Sequence, residues 1–125
     1  MNTGIMGEAR ETVNENNTAL KMKSGGLMVY ATPAMIALAE QAAYKRVEPY
    51  LEEGQGTVGT LMNVKHMAAT PVGMEITAKS ELTSIEGRKL TFKIEVFDER
   101  EKIGEGVHER FIVNNEKFQN KANGK

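Results

Sequence analysis

Only one segment of this chain has a helical period, and it is apolar over most of its surface. From Thr32 to Val47 the positions Met35, Leu38, Ala39, Ala42 and Ala43 recur at helical spacing, and Ile36 and Val47 widen the apolar surface. Thr32 is read as the N-cap, Pro33 as the first helical residue and Pro49 as the stop. A wet face begins only at Gln41 and continues through Lys45, Arg46 and Glu48. A helix this greasy needs more around it than a single neighbour. Whatever the chain folds into has to enclose that helix.

The C-terminal half of the chain can supply the wrapping. After Glu52-Glu53-Gly54-Gln55-Gly56 the period changes from helical to alternating. Val58, Met62 and Val64 share one parity, with Thr60 between them and His66 last. Met74, Ile76, Ala78 and Leu82 alternate with Glu75, Thr77, Lys79 and Glu81, the pattern of a half-buried antiparallel strand. Leu90, Phe92, Ile94 and Val96 repeat it, and Glu86-Gly87 marks a hairpin turn between the two. A last strand runs from about Lys102 to Val113, with Ile103, Val107, Phe111 and Val113 on one face.

The ends are less patterned. Residues 1–26 are expected to form one irregular strand near Ala9 to Val13, then a loop or lid ending in Ser24-Gly25-Gly26. Residues 115–125 are polar and expected to fray. The whole chain, residues 1–125, reads as a single α+β domain of strand, helix and four antiparallel strands. A sheet of about five strands curled around one long helix is the hot-dog fold. Its open edges can pair with a second copy to give a dimer with a continuous sheet.

Composition removes several function classes. A net charge of −1 with interspersed signs lacks the basic stripe that nucleic acid requires. With no cysteine, disulfide and thiolate chemistry are excluded. Two histidines without paired ligand spacing argue against a metal site, and no other cofactor is implied. The N-terminus lacks the apolar run of a signal peptide, and the stretch from Leu27 to Ala43 is short and interrupted for a membrane span. The expectation is a soluble, cytoplasmic protein.

Three polar residues stand where the pattern otherwise wants apolar ones: Thr32, Glu40 and His66. Hydroxyl, carboxylate and imidazole are the parts of a nucleophile, base and orienter set. Each also has an ordinary reading. Thr32 before proline is a common helix cap, although a cap hydroxyl already stands at the end of the dipole that favours an oxyanion. Glu40 lies beside the buried part of the helix, where desolvation and an imidazole would both act on its pKa. It is either a half-exposed residue at a dimer seam or a base or nucleophile. His66 ends a strand, followed by the small Met67-Ala68-Ala69-Thr70 segment, and is either solvated or a general base or acid. Eight helical residues separate Thr32 from Glu40, a rise of about 12 Å, so their side chains are not expected to bond within one helix. That separation points to a site at a dimer interface.

A further set of motifs falls in order along the chain: Val29-Tyr30-Ala31-Thr32-Pro33-Ala34-Met35, then Glu40, then Thr57-Val58-Gly59-Thr60, His66-Met67-Ala68-Ala69-Thr70-Pro71-Val72-Gly73, and His108-Glu109-Arg110. Together they resemble the fluoroacetyl-CoA thioesterase-like family, over roughly Leu27 to Lys121. The resemblance implies a dimeric hot-dog thioesterase acting on an acyl-CoA, with Thr32, Glu40 and His66 as the catalytic set and Gly59 beside the acyl thioester. A homodimer or a dimer of dimers is the expected assembly. In the family's fluoroacetyl-specific enzyme a longer, aromatic-rich lid stands where this chain has a short, glycine-containing segment before Val29.

Read by themselves, Gly59 is a bulge or a close approach to substrate, and Met28, Met35 and Met67 are core residues or the lining of an adaptable acyl pocket. His108-Glu109-Arg110 reads mainly as an ion-paired structural element, with a CoA contact from Arg110 as the alternative. Lys117, Lys121 and Lys125 read as a solvated tail or as partners for CoA phosphates. The alternative to an enzyme is a non-catalytic hot-dog module that binds an acyl-CoA without cleaving it.

Overall fold

Thr32 and Pro33 do start the long helix, but one position later in the capping frame than expected. The computed structural model describes residues 1–125. In chain order it contains β1 (Met6–Thr12), a short α1 (Ala19–Met22), the long α2 (Thr32–Val47), a 3-10 turn (Glu48–Tyr50), β2 (Gln55–His66), β3 (Glu75–Glu86), β4 (Lys89–Phe97), β5 (Lys102–Asn114) and α3 (Asn115–Asn123). Ala31 occupies the N-cap position of α2, and no side chain caps that end. Thr32 is therefore the first helical residue, and its hydroxyl is free for another partner. Pro33 sits in the first turn, where its missing N–H leaves no bond unmade.

The five strands form one antiparallel sheet in the order β1-β3-β4-β5-β2. It curls so that α2 packs chiefly on β1 and β3 through Ala34, Met35, Leu38, Ala39, Ala42, Ala43 and Val47. Alanines on this face let the helix backbone come close to the sheet. A Cβ at Gly7 of β1 would collide with the Ala42 carbonyl, and the Ser80 hydroxyl of β3 donates to that same oxygen at 3.1 Å. The other flank of α2 is less covered than its composition suggests, with Ile36 half-buried and Ala37 exposed in the single chain. No helix is long and apolar enough to cross a membrane.

The β3–β4 hairpin matches the alternation read from the sequence. Ile76, Ala78, Leu82, Leu90, Phe92, Ile94 and Val96 are all buried on its inner face. The outer pair, β2 and β5, does not match. A register shift between Gly59 and Leu61 resets the parity of β2, so Val58 pairs with the exposed Phe111 while Met62 pairs with the buried His108. On β5, Val107 and Phe111 point outward at 42% and 40% exposure, and only Ile103 of the expected apolar face is fully buried. The inward positions carry Gly104, Gly106, His108 and Arg110 instead. A second register shift, between Val96 and Phe97, separates Ile103 from the phase of the residues after it. Alternation states which residues share a face; it does not state which face is inside once a bulge intervenes.

The chain's end is a helix rather than a frayed tail. The Asn114 side chain caps α3 by accepting from the Lys117 N–H at 3.0 Å, although none of its residues is buried. Residues 1–26 contain the expected strand, begun earlier at Met6, and then α1, capped by Thr18 and closed by Lys23 in the left-handed conformation.

Candidate active site

The segment leading into α2 is held on both sides. The Tyr30 N–H donates to the Thr70 carbonyl and the Ala31 N–H to the Asn17 carbonyl, each at 2.9 Å. Tyr30 is itself buried, and its hydroxyl donates to Glu11 of β1 at 2.5 Å. Burial, with that carboxylate as its partner, raises the phenol far above its ordinary pKa, so it stays protonated. Thr70 is fixed in turn, its hydroxyl donating to Asp98 at 2.8 Å. The run from His66 to Pro71 thus lies alongside Val29 to Thr32, also bridged between Val29 and Pro71.

This juxtaposition brings Thr32 Oγ1 to 2.8 Å from His66 Nδ1. The other imidazole nitrogen, Nε2, is buried without a hydrogen-bond partner. Burial lowers the His66 pKa from 6.5, with the Ala68 backbone opposing part of the shift, so the ring is neutral near pH 7. Hydroxyl and imidazole face a cavity of about 270 Å³ whose walls include Tyr30, Met67, Ala68 and, from the lid segment, Ala19, Ser24 and Val29. No side chain caps α2, and Thr32, its first residue, lines this cavity, so the positive end of the helix dipole lies at the cavity wall.

Glu40 lies elsewhere. Its carboxylate accepts from Arg110 Nη1 at 3.0 Å, and a Cβ at Gly59 would come within 2.6 Å of it. Glycine is needed here because the carboxylate occupies the space of a side chain. Arg110 is held from every side: Nε donates to the Thr57 hydroxyl at 2.8 Å, Nη2 to the Thr57 carbonyl at 3.0 Å, and the guanidinium lies 5.5 Å from the Tyr44 ring centre. Nη1 also lies 3.2 Å from His108 Nε2, while His108 Nδ1 lies 2.8 Å from the Leu61 carbonyl. The carbonyl requires Nδ1 to donate, so Nε2 is the acceptor and the ring is neutral. Burial, with the Arg110 charge adding to it, lowers its pKa from 6.5 accordingly. Glu40, Gly59, Thr60, Leu61, Met62 and His108 line a second cavity, also of about 270 Å³.

The two cavities share no lining residue. Thr32 and His66 are brought together and Glu40 is not. Of the other predicted positions, Gly59 stands against Glu40, Met67 lines the Thr32–His66 cavity, and Met28 is exposed. Met35 is core, with its sulfur packed toward Gly104. Arg110 is ion-paired, as its motif suggested, and its partner is Glu40, with the arginine itself buried. Sequence reading passes over Thr57 and the Tyr30–Glu11 pair, and it gives His108 no part in the site. The one signal for His108 is its place two residues from Arg110 on a strand otherwise read by its apolar residues.

The fold and the site define the class. A hot-dog-like protein from Thermanaerovibrio acidaminovorans superposes with a TM-score of 0.87 over 96% of this chain and 89% of that one, at 19% identity, which bears on the fold alone. With a hydroxyl, an imidazole and a carboxylate set around such a helix, the protein is a hot-dog thioesterase, a hydrolase of thioesters. The model of the family described as fluoroacetyl-CoA-specific thioesterase matches residues 13–116. A fluoroacetyl-CoA thioesterase of Streptantibioticus cattleyicolor is 43% identical over 97 residues, 78% of this chain and 70% of the relative. The solved structure of the fluoroacetyl-CoA thioesterase FlK superposes with a TM-score of 0.95 at 35% identity, over 100% of this chain and 97% of that one. A threonine-to-serine variant of FlK, solved in complex with acetyl-CoA, superposes at 0.94 with 34% identity, over 99% of this chain and 98% of that one. The chain belongs to the fluoroacetyl-CoA-specific thioesterase family.

Proposed function

We propose that this thioesterase hydrolyses small or medium acyl-CoA thioesters at a site completed by a second copy of the chain. The observation that carries the reading is the division of Thr32–His66 and Glu40–Gly59 between two separate cavities of one subunit. β2 lies at the sheet edge with twelve residues, and α2 leaves Ile36 and Ala37 incompletely covered. Antiparallel pairing of two β2 edges brings the Thr32–His66 end of one copy toward the Glu40–Gly59 end of the other.

In this assembly the thioester carbonyl lies over Gly59, where no Cβ intervenes. Glu40, kept in place by Arg110, either attacks the carbonyl and expels the CoA thiolate, leaving an anhydride that water then hydrolyses, or takes a proton from a water that attacks the carbonyl as the CoA thiolate leaves. The uncapped end of α2 and the Thr32 hydroxyl stabilise the oxygen as it gains charge. Neutral His66 orients Thr32 and is able to accept a proton. The lid segment, residues 14–29, has no aromatic residue, which favours short acyl groups generally over fluoroacetyl alone. A cytoplasmic location fits a chain without cysteine.

The test is thiol release from a panel of acyl-CoAs of increasing chain length, with fluoroacetyl-CoA included, for the wild type and Glu40→Gln. We expect turnover by the variant to fall by about 10²–10⁴-fold with a smaller change in KM. An unchanged rate across the panel would overturn the role of Glu40, and a monomer with full activity would overturn the shared site.

A further inference from the structure

His108 is the one titratable side chain of the Glu40 cavity that the catalytic reading leaves without a task. It is 1% exposed on the inner face of β5, and its ring stacks on Phe92 with centres 5.9 Å apart. Both ring nitrogens are engaged, each with a different part of the site. Nδ1 donates at 2.8 Å to the carbonyl of Leu61, the first residue after the register shift that begins at Gly59. Nε2 accepts from Arg110 Nη1 at 3.2 Å. Thr60, inside that shift, is also tied to β5, its hydroxyl donating to the Glu109 carbonyl at 3.2 Å. The bulge that sets Gly59 against Glu40 is therefore fastened to β5 at two consecutive residues.

An arginine frequently meets a carboxylate through two parallel N–H groups, a pairing that occupies both carboxylate oxygens. Arg110 does not grip Glu40 that way. Its Nε and Nη2 are taken by the Thr57 hydroxyl and carbonyl, and one N–H of Nη1 goes to His108, which leaves Nη1 a single N–H for Glu40 Oε2. Glu40 Oε1 has no hydrogen bond from the protein. We infer that His108 is a positioning residue for the hydrolysis: it takes the second N–H of Nη1, so that Arg110 holds Glu40 by one oxygen and leaves the other free to react, and it holds Gly59 in register against that carboxylate. This rests on the assignment of Glu40 as base or nucleophile above. Only a neutral ring with its proton on Nδ1 serves both partners, and burial keeps the ring neutral. Without that ring the guanidinium is free to turn toward both carboxylate oxygens, and the bulge loses one of its two ties.

The test measures kcat, KM and urea unfolding of the full-length protein for His108→Phe, His108→Gln and a core truncation that lines neither cavity, Ile94→Ala. Phenylalanine keeps an aromatic ring against Phe92 and removes both polar atoms. We expect kcat to fall about 10- to 100-fold with KM within about twofold, because a misplaced reacting group affects the chemical step more than binding. Glutamine restores a donor and an acceptor and should recover part of the loss. Ile94→Ala should lower the urea midpoint and leave kcat unchanged, the outcome that a purely structural role would give for His108 as well. In a Glu40→Gln background, His108→Phe should cost less than about twofold more, since it acts through the carboxylate already removed. If phenylalanine prevents folding, the same cycle is run with glutamine, where the expected loss is smaller and again vanishes in the Glu40→Gln background. Nitrogen-15 spectra of the wild type should show the His108 proton on Nδ1. An undiminished kcat, an equal loss in both backgrounds, or a proton on Nε2 overturns the assignment. Full activity of Glu40→Gln alone overturns the role of Glu40 instead, and is seen before any His108 variant is made.

Discussion

Thr32 Oγ1 lies 2.8 Å from His66 Nδ1, although the two residues are 34 positions apart and the hydroxyl stands at a helix start where capping would be its ordinary use. The choice of partner separates a catalytic from a structural role. A hydroxyl spent on a backbone amide stabilises a helix, whereas one aligned with a neutral imidazole can donate to or orient a substrate atom.

Removing that hydroxyl tests the distinction. Thr32→Val should lower kcat/KM by about 10²–10³-fold, the usual cost of one carbonyl-stabilising donor. It should not show the helix-stability loss of about 1 kcal/mol that removal of a true N-cap brings. Thr32→Ser keeps the hydroxyl and should retain much of the rate. Steady-state kinetics and thermal melts of the two variants check both halves.

Gly59→Ala tests the space that Glu40 occupies. The new Cβ would come within 2.6 Å of the carboxylate, a flexible group that can move, so the fold should survive. Displacing a reacting group by about 1 Å is enough to cost on the order of 10²-fold in rate. The expected result is a stable protein with turnover reduced by about that factor. Circular dichroism and a thiol-release assay distinguish this from unfolding.

Arg110 should matter for stability as well as rate. Arg110→Met removes the donors to Glu40, to both Thr57 oxygens and to His108 Nε2 from a side chain only 8% exposed. Leaving those acceptors unpaired should cost about 2–3 kcal/mol in urea unfolding. Arg110→Lys should rescue little, since an ammonium cannot span Glu40 and Thr57 as the planar guanidinium does.

The pH dependence has a definite sign. His66 and His108 both titrate below the 6.5 of a free imidazole, chiefly because burial disfavours their charged forms. On acidification the unfolded chain takes up protons at these positions before the folded one does. Stability from these two groups is complete above pH 6.5 and declines as pH falls through their lower folded-state values. Activity should fall on the same side, because protonated His66 can no longer accept a proton. Urea midpoints and kcat/KM measured from pH 8 downward, with His108→Gln as the comparison, check the direction.

Local pattern makes some elements legible. Pro33 and the run from Met35 to Val47 identify α2, and strict alternation through Ile76 to Leu82 and Leu90 to Val96 identifies the central hairpin with its inner face. Both rest on periodicity, which the chain displays without reference to anything distant. Helix α3 escapes such a reading because its polar composition outweighs the Asn114 cap, a signal that is present in the sequence.

The chain by itself determined that one apolar helix would be wrapped by antiparallel strands, and it displayed Thr32, Glu40 and His66 as polar residues in apolar surroundings. The tertiary structure decided which groups meet. Bulges at Gly59–Leu61 and at Val96–Phe97 reset the parity of the outer strands, turning His108 and Arg110 inward and Val107 and Phe111 outward. The Glu40–Arg110 pair joins residues 70 positions apart, and Thr32 takes His66 because Tyr30 and Thr70 bring their segments side by side. Such partnerships depend on strand register and chain crossing, which are set by the packing of the whole sheet and leave no period in the local sequence.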